Sequence, residues 1–208
     1  MISNNYKCIF VHIPKSGGSS IEDILWPGER KESDLWMGFI SKYENKYQTG
    51  GLQHLCAGQI RNEVGRSIFN EYFKFSFVRN PWGKAVSQFS YMKKRDDLRE
   101  YIGMKKNDTF KKYLELIQNK SHVQWSPQHK FITDSNGQCL VDYIGRFESF
   151  ERDVLNIMER LGLFVQKIPH MNKSDHRPYF EHYDHESVEI VRDFYRDDIE
   201  MFNYRFPL

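Results

Sequence analysis

The stretch Ile9-Phe10-Val11-His12-Ile13-Pro14-Lys15-Ser16-Gly17-Gly18-Ser19-Ser20 constrains this chain more than any other. Its apolar, β-branched and aromatic start predicts a buried strand over residues 6–13, ending at Pro14. A helical pattern follows over 18–26, with Ile21, Ile24 and Leu25 on one face and Pro27-Gly28 as the stop. Strand, tight turn and helix N-terminus in that order make an anion cradle. Glycines let backbone N–H groups close on a phosphate, and the helix start adds partial positive charge. The lysine precedes the glycines here, whereas in the Walker A loop, G-x-x-x-x-G-K-[ST], it follows them.

The rest of the chain continues to alternate. Tyr72 to Val78 reads as a second strand, and Asn80-Pro81 starts a helix that runs through Val86, Phe89 and Met92. Cys139 to Phe147 is a third strand candidate. Helices are predicted over 33–48, 56–69 (or two short ones there), 108–119, 150–161 and 184–203, with Ser149 as a cap and Gly162 as a stop. Residues 121–137 read as irregular, and 163–183 as a long, polar, histidine-rich connection of the kind that serves a site. Strands separated by helices imply an α/β fold with a mainly parallel sheet, and 208 residues suit one domain spanning 1–208.

Two constellations carry chemistry. In the first, Lys15 sits at a strand's carboxyl end, where α/β sheets bind ligands, followed by Ser16, Gly17, Gly18, Ser19 and Ser20. In the second, Phe77-Val78-Arg79-Asn80-Pro81 again ends a strand in a cation and begins a helix, with Ser87 two turns along it. Arg79 is suited to a bidentate phosphate grip. Two strand-end grips in one chain suit a ligand with two separate phosphates.

These residues resemble a known family. P-K-S-G-G-S-S followed by F-S-F-V-R-N-P-W-x-x-x-V-S is similar to the nucleotide-binding signature of sulfotransferases that use 3′-phosphoadenosine 5′-phosphosulfate (PAPS). The carbohydrate O-sulfotransferase branch, with H-x-P-K-[ST]-G-G-[ST]-S, is the nearest in pattern. Softer likenesses are V-D-Y-I-G-R-F-E at 141–148, M-N-K-S at 171–174 and D-x-E-M-F-N-Y at 198–204, so the resemblance spans residues 9 to 204. It implies a P-loop-kinase-like three-layer fold, a central mainly parallel sheet flanked by helices. It implies sulfonate transfer from PAPS, leaving 3′-phosphoadenosine 5′-phosphate, to an acceptor hydroxyl of a carbohydrate or glycan. By position, Lys15 would contact the transferred sulfonate and the leaving oxygen. Ser16 to Ser20 would hold the 5′-phosphate, Arg79 and Ser87 the 3′-phosphate. The loop carrying Asn172, Lys173 and Ser174 would close over the nucleotide.

An acceptor hydroxyl needs a general base, and His54 matches a His-x-x-Ala pattern of related polysaccharide sulfotransferases; a structural histidine is the alternative. His12, inside the first strand, reads as structural. His122, Gln128, His129 and Arg146 are candidate acceptor contacts, with Arg146 alternatively pairing with Glu148 or Asp142. Sulfonate transfer demands no metal, and His170, His176, His182 and His185 fit no common zinc spacing.

A net charge of +2 gives no bulk reason to expect nucleic-acid binding. Three scattered cysteines without C-x-x-C argue against a disulfide framework and for a reducing compartment. With no membrane span and no signal peptide in the Met1-Ile2-Ser3-Asn4-Asn5 start, a cytoplasmic protein is expected if Met1 is the native start. Two rival readings accompany this one: a P-loop nucleotide kinase, and a non-catalytic nucleotide- or glycan-binding module of the same fold.

Overall fold

The two apolar strands Cys8–Val11 and Phe73–Val78 are buried on both faces, as parallel sheets require. The computed structural model describes residues 1–28, 31–36, 51–165, 168 and 177–207. Strands β2 (Cys8–Val11), β3 (Phe73–Val78) and β4 (Tyr143–Arg146) pair parallel in sequence order. A two-residue β1 (Ile2–Ser3) lies antiparallel against β2 at the edge. Val11 sits opposite Ser76, so β3 runs two residues beyond β2 and ends at Val78 opposite Arg146.

Side chains alternate across the sheet into two cores. Cys8, Phe10, Phe75 and Phe77 face α1 (Gly18–Leu25) and α8 (Phe150–Arg160). Ile9, Val11 and Val78 face the larger core under α2 (Ala57–Val64), α4 (Pro81–Met92), α6 (Phe110–Ile117) and α9 (His185–Phe194). The result is a mixed α/β architecture with helices on both faces of a mostly parallel sheet. No helix among the described residues is long and apolar enough to cross a membrane.

Several boundaries differ from the sequence reading, each for a local reason. The third strand is only four residues long, because Cys139 instead bridges Thr133 and the Asp142 carboxylate accepts from the Lys74 N–H at 2.8 Å. Residues 121–137 are not irregular throughout. A 3₁₀ turn occupies Val123–Trp125, started by the His122 Nδ1 accepting the Gln124 N–H, and α7 covers His129–Ile132. The helix expected over 184–203 breaks at Tyr195, whose buried hydroxyl donates to the Trp125 carbonyl at 2.8 Å, and resumes as α10 (Arg196–Phe202).

Residues 56–69 divide at Gly65 into α2 and α3 (Arg66–Glu71), and α5 (Asp96–Ile102) was not anticipated. Ser149 precedes α8 without capping it; its hydroxyl donates to Asp153 Oδ2 at 2.8 Å. Of the helix expected over 33–48, the described part is a 3₁₀ turn, Glu32–Asp34, and the remainder beyond residue 36 lies outside the described residues.

Candidate functional site

The loop after β2 and the residue after β3 meet. Arg79 Nη1 donates to the Lys15 carbonyl at 3.2 Å, so the two strand-end constellations form one site at the carboxyl edge of the sheet. Lys15 (φ 67) and Gly17 (φ 90) are both left-handed around Ser16, a backbone alternation that turns successive N–H groups toward one point. For lysine that conformation is strained, at a cost of about 1–3 kcal/mol, which the surrounding packing must offset.

Both glycines supply space, and Gly17 the positive φ as well: a Cβ at Gly17 would stand 2.7 Å from Phe150 Cε2, and one at Gly18 2.0 Å from His12 Nε2. Ser16 Oγ is buried and has no hydrogen-bond partner among the described residues, a donor held inside the loop at its own desolvation cost. That orphaned hydroxyl, the strained lysine and the glycine turn together fit a bound oxyanion. Ser20 is buried on the first turn of α1, while Ser19 is partly exposed.

Lys15 is half-buried, with Nζ 4.5 Å from the centroid of the Tyr91 ring. Burial, then Arg79 and Lys94, push its ammonium down to about 8. The Tyr91 hydroxyl is bonded by Arg95, which in turn grips Asp97 through Nε at 2.9 Å and Nη2 at 2.6 Å. Tyr91 therefore acts as a fixed platform beneath the lysine. The sequence analysis missed it, although it lies one turn beyond Ser87 on the same face of α4, an i,i+4 signal. Ser87 itself is half-buried there.

Arg79 is held by long-range polar contacts. Its guanidinium lies 4.0 Å from the Phe147 ring centroid, and burial pulls its pKa to about 10 against the opposing pull of Glu148. Its backbone is clamped by Gln128, whose Oε1 accepts the Arg79 N–H and whose Nε2 donates to the Arg79 carbonyl, both at 2.8 Å. Glu148 Oε1 accepts the Asn80 N–H at 2.7 Å, and Oε2 accepts the Tyr204 hydroxyl at 2.9 Å. Asp198, wholly buried, accepts the N–H groups of Gln128 at 2.7 Å and His129 at 2.8 Å.

Three of the acceptor-contact candidates have partners within the protein. Gln128 is fully buried and spends its amide on Arg79's backbone. His129 Nδ1 faces Asp198 at 2.8 Å. Arg146 pairs with neither Glu148 nor Asp142. Its Nη2 donates to the Phe202 carbonyl at 2.6 Å and its guanidinium lies against Tyr204. Lys173 and Ser174 lie outside the described residues, as do His170, Asn172 and His176.

His54 is brought to the same edge. Its Nδ1 lies 3.0 Å from the His12 carbonyl, which can only accept, so Nδ1 carries the proton and Nε2 the lone pair. Burial and the neighbouring His12 hold its pKa well below the usual 6.5, so the ring is neutral. A cleft of about 120 Å³ is lined by His54, Tyr91, Arg95, His122 and Gln124. Tyr91 is thus shared between the lysine and the cleft. A larger open cleft of about 430 Å³ sits at the opposite end of β3, beside the Lys74–Asp142 pair, away from Lys15 and Arg79.

Comparisons with known proteins point the same way. The family described as "Sulfotransferase family" matches residues 1–205. An uncharacterized protein of Archaeoglobus fulgidus is 34% identical over 114 residues, covering 51% of this chain and 82% of that protein. No solved structure matches.

Proposed function

The chain belongs to the sulfotransferase family, and from that premise we propose that it transfers the sulfonate of PAPS to an acceptor hydroxyl, that of a carbohydrate or glycan. One observation carries the reading: the Arg79–Lys15 hydrogen bond joins two separate anion grips, as a donor with a 5′-phosphosulfate and a 3′-phosphate requires. The lysine-first order of the loop fits this donor better than a nucleoside triphosphate.

Roles follow from position. Ser16 to Ser20 receive the 5′-phosphate through backbone N–H groups and hydroxyls. Arg79 and Ser87 receive the 3′-phosphate, and Lys173 and Ser174, outside the described residues, are assigned to the nucleotide by the resemblance alone. In the transfer, the bond from sulfur to the leaving phosphate oxygen breaks and a bond to the acceptor oxygen forms. Negative charge builds on the leaving oxygen, where the Lys15 ammonium stabilises it. The acceptor's proton passes to His54 Nε2, the free lone pair of that ring. His122 lines the cleft beside His54 and is assigned to the acceptor.

Calorimetric titration separates donors. Tight binding of 3′-phosphoadenosine 5′-phosphate with weak binding of ATP–magnesium is expected, and the reverse preference overturns the assignment in favour of a kinase. A labelled-sulfate transfer assay over a glycan panel then identifies the acceptor. His54→Ala should lower turnover by about 10²–10⁴ with nucleotide affinity unchanged. Lost affinity with normal turnover of the bound complex removes His54 from the base role.

A further inference from the structure

His12 and Glu22 form a buried pair that the reaction as described does not use. Nδ1 and Oε1 stand 2.6 Å apart, at ion-pair distance though not in line for a hydrogen bond, and both side chains are more than nine-tenths buried. Two bare acceptor atoms at that separation would repel, so one proton is shared by the pair, on the imidazole or on the carboxyl. The other edge of the ring is fixed as well, with Nε2 abutting Gly18, the first residue of α1. One face stacks on Phe10 (centroids 5.3 Å apart, planes at 15°), and the His54 ring lies 4.6 Å away, tilted by 60°.

Three pieces of the site therefore converge on one residue. His12's imidazole fills the floor of the anion loop in the space a side chain at position 18 would take. Its backbone carbonyl selects the tautomer of His54. Glu22, one turn inside α1, fixes the ring that does the first of these. Burying a carboxylate costs several kcal/mol unless a partner compensates it, so this arrangement is not an idle feature of the core.

We infer that His12, clamped by Glu22, is a positioning residue that couples the two halves of the site, seating the donor loop through its ring and aiming the His54 lone pair through its carbonyl. A shift of the ring moves the loop and the base together. The inference rests on the proposed transfer for its meaning, but its test does not depend on turnover.

The experiment uses the full chain and two changes, the isosteric Glu22→Gln and the ring-removing His12→Asn. Nitrogen NMR of the wild-type imidazoles should report His54 as the Nδ1–H tautomer. In either variant that signature should blur toward a mixture, and affinity for 3′-phosphoadenosine 5′-phosphate should fall about tenfold, while circular dichroism stays native. Where transfer is measurable, kcat at saturating donor should fall tenfold to a hundredfold, as a displaced catalytic group predicts. In a His54→Ala background, Glu22→Gln should cost no further kcat yet still weaken the nucleotide.

A wild-type His54 protonated at Nε2 overturns the inference, even if neither variant folds. So do folded variants with unchanged tautomer and affinity, or kcat losses that simply multiply in the double variant. Failure of the chain to bind the nucleotide at all sinks the proposed donor instead; the tautomer comparison still decides the positioning role.

Discussion

The grip after β2 and the grip after β3 are built from different materials. The first is backbone, a left-handed turn at Lys15 and Gly17, shaped by His12 and Glu22 close in sequence, with the Phe150 ring packed against Gly17 from the far side. The second is a single side chain, Arg79, supported from far away: Gln128 lies 49 residues on, and Glu148 is 68 from Asn80. A loop of N–H groups can be shaped by local sequence. A guanidinium at a strand end has to be aimed, and its aim here depends on carboxylates and an amide that only the folded chain brings together. The first grip should therefore be sensitive to local sterics, the second to distant polar substitutions.

The largest expected effect is at the reacting end. Lys15→Ala should lower turnover by about 10²–10³, some 3–4 kcal/mol of transition-state stabilisation, with a melting temperature at or slightly above that of the parent, because a half-buried cation is removed while alanine keeps the left-handed strain. Steady-state transfer and a thermal melt check both halves. Normal turnover would remove Lys15 from the chemistry.

Gly18→Ala probes the local side of the comparison. The new Cβ would meet His12 Nε2 at 2.0 Å, and that ring cannot retreat because Glu22, Phe10 and His54 surround it. Overpacking of this kind costs about 3 kcal/mol, and here it should appear as lost nucleotide affinity as well as lost stability. If affinity is unchanged, the loop tolerates a side chain and His12 is not its floor.

Asp198→Asn probes the distant side. The substitution removes the charge that holds the backbone of Gln128 and His129, and with it the clamp on Arg79. Loss of a charged acceptor costs about 2 kcal/mol of stability by denaturant melt. Affinity for the 3′-phosphate should fall while the 5′-phosphate is held as before.

The same contrast explains what could be read from sequence. Strand, lysine, glycines and helix are contiguous, so the first grip and its place at a sheet edge were legible in their order. Arg79 was legible from the strand before it and Pro81 after it. Gln128, Asp198 and Glu148 were not, because an amide or carboxylate in a loop looks the same whether it meets substrate or a backbone N–H, and only the 49-to-70-residue contacts decide. His54 was legible as a base candidate, but its tautomer needed the His12 carbonyl. Tyr91 carries no motif of its own on α4, and only the Lys15 ammonium 4.5 Å from its ring marks it. The break at Tyr195 was hidden for a like reason, since the helical pattern on either side of it is continuous and the Trp125 carbonyl that takes its hydroxyl is distant.

The gentlest probe is pH, and it separates the two grips without mutation. Lys15 titrates at about 8, whereas Arg79 keeps its charge to about 10. Bound phosphate favours the charged lysine, so nucleotide binding takes up a proton in this range. Affinity for 3′-phosphoadenosine 5′-phosphate should then fall as pH rises through about 8, approaching tenfold per pH unit, or ~1.4 kcal/mol. Adenosine 3′-phosphate, which lacks the group held beside Lys15, should show no such slope. Stability of the free protein moves in the opposite sense. The folded-state pKa lies below the unfolded 10.5, so between about 8 and 10.5 the unfolded chain binds more protons and folding strengthens with rising pH. Buried Lys84, also lowered to about 8, contributes with the same sign, so a melt cannot isolate Lys15. Lys15→Arg can, because it keeps its charge throughout and should flatten the binding profile. A slope that survives in that variant assigns the titration to another group and leaves the two grips electrostatically alike.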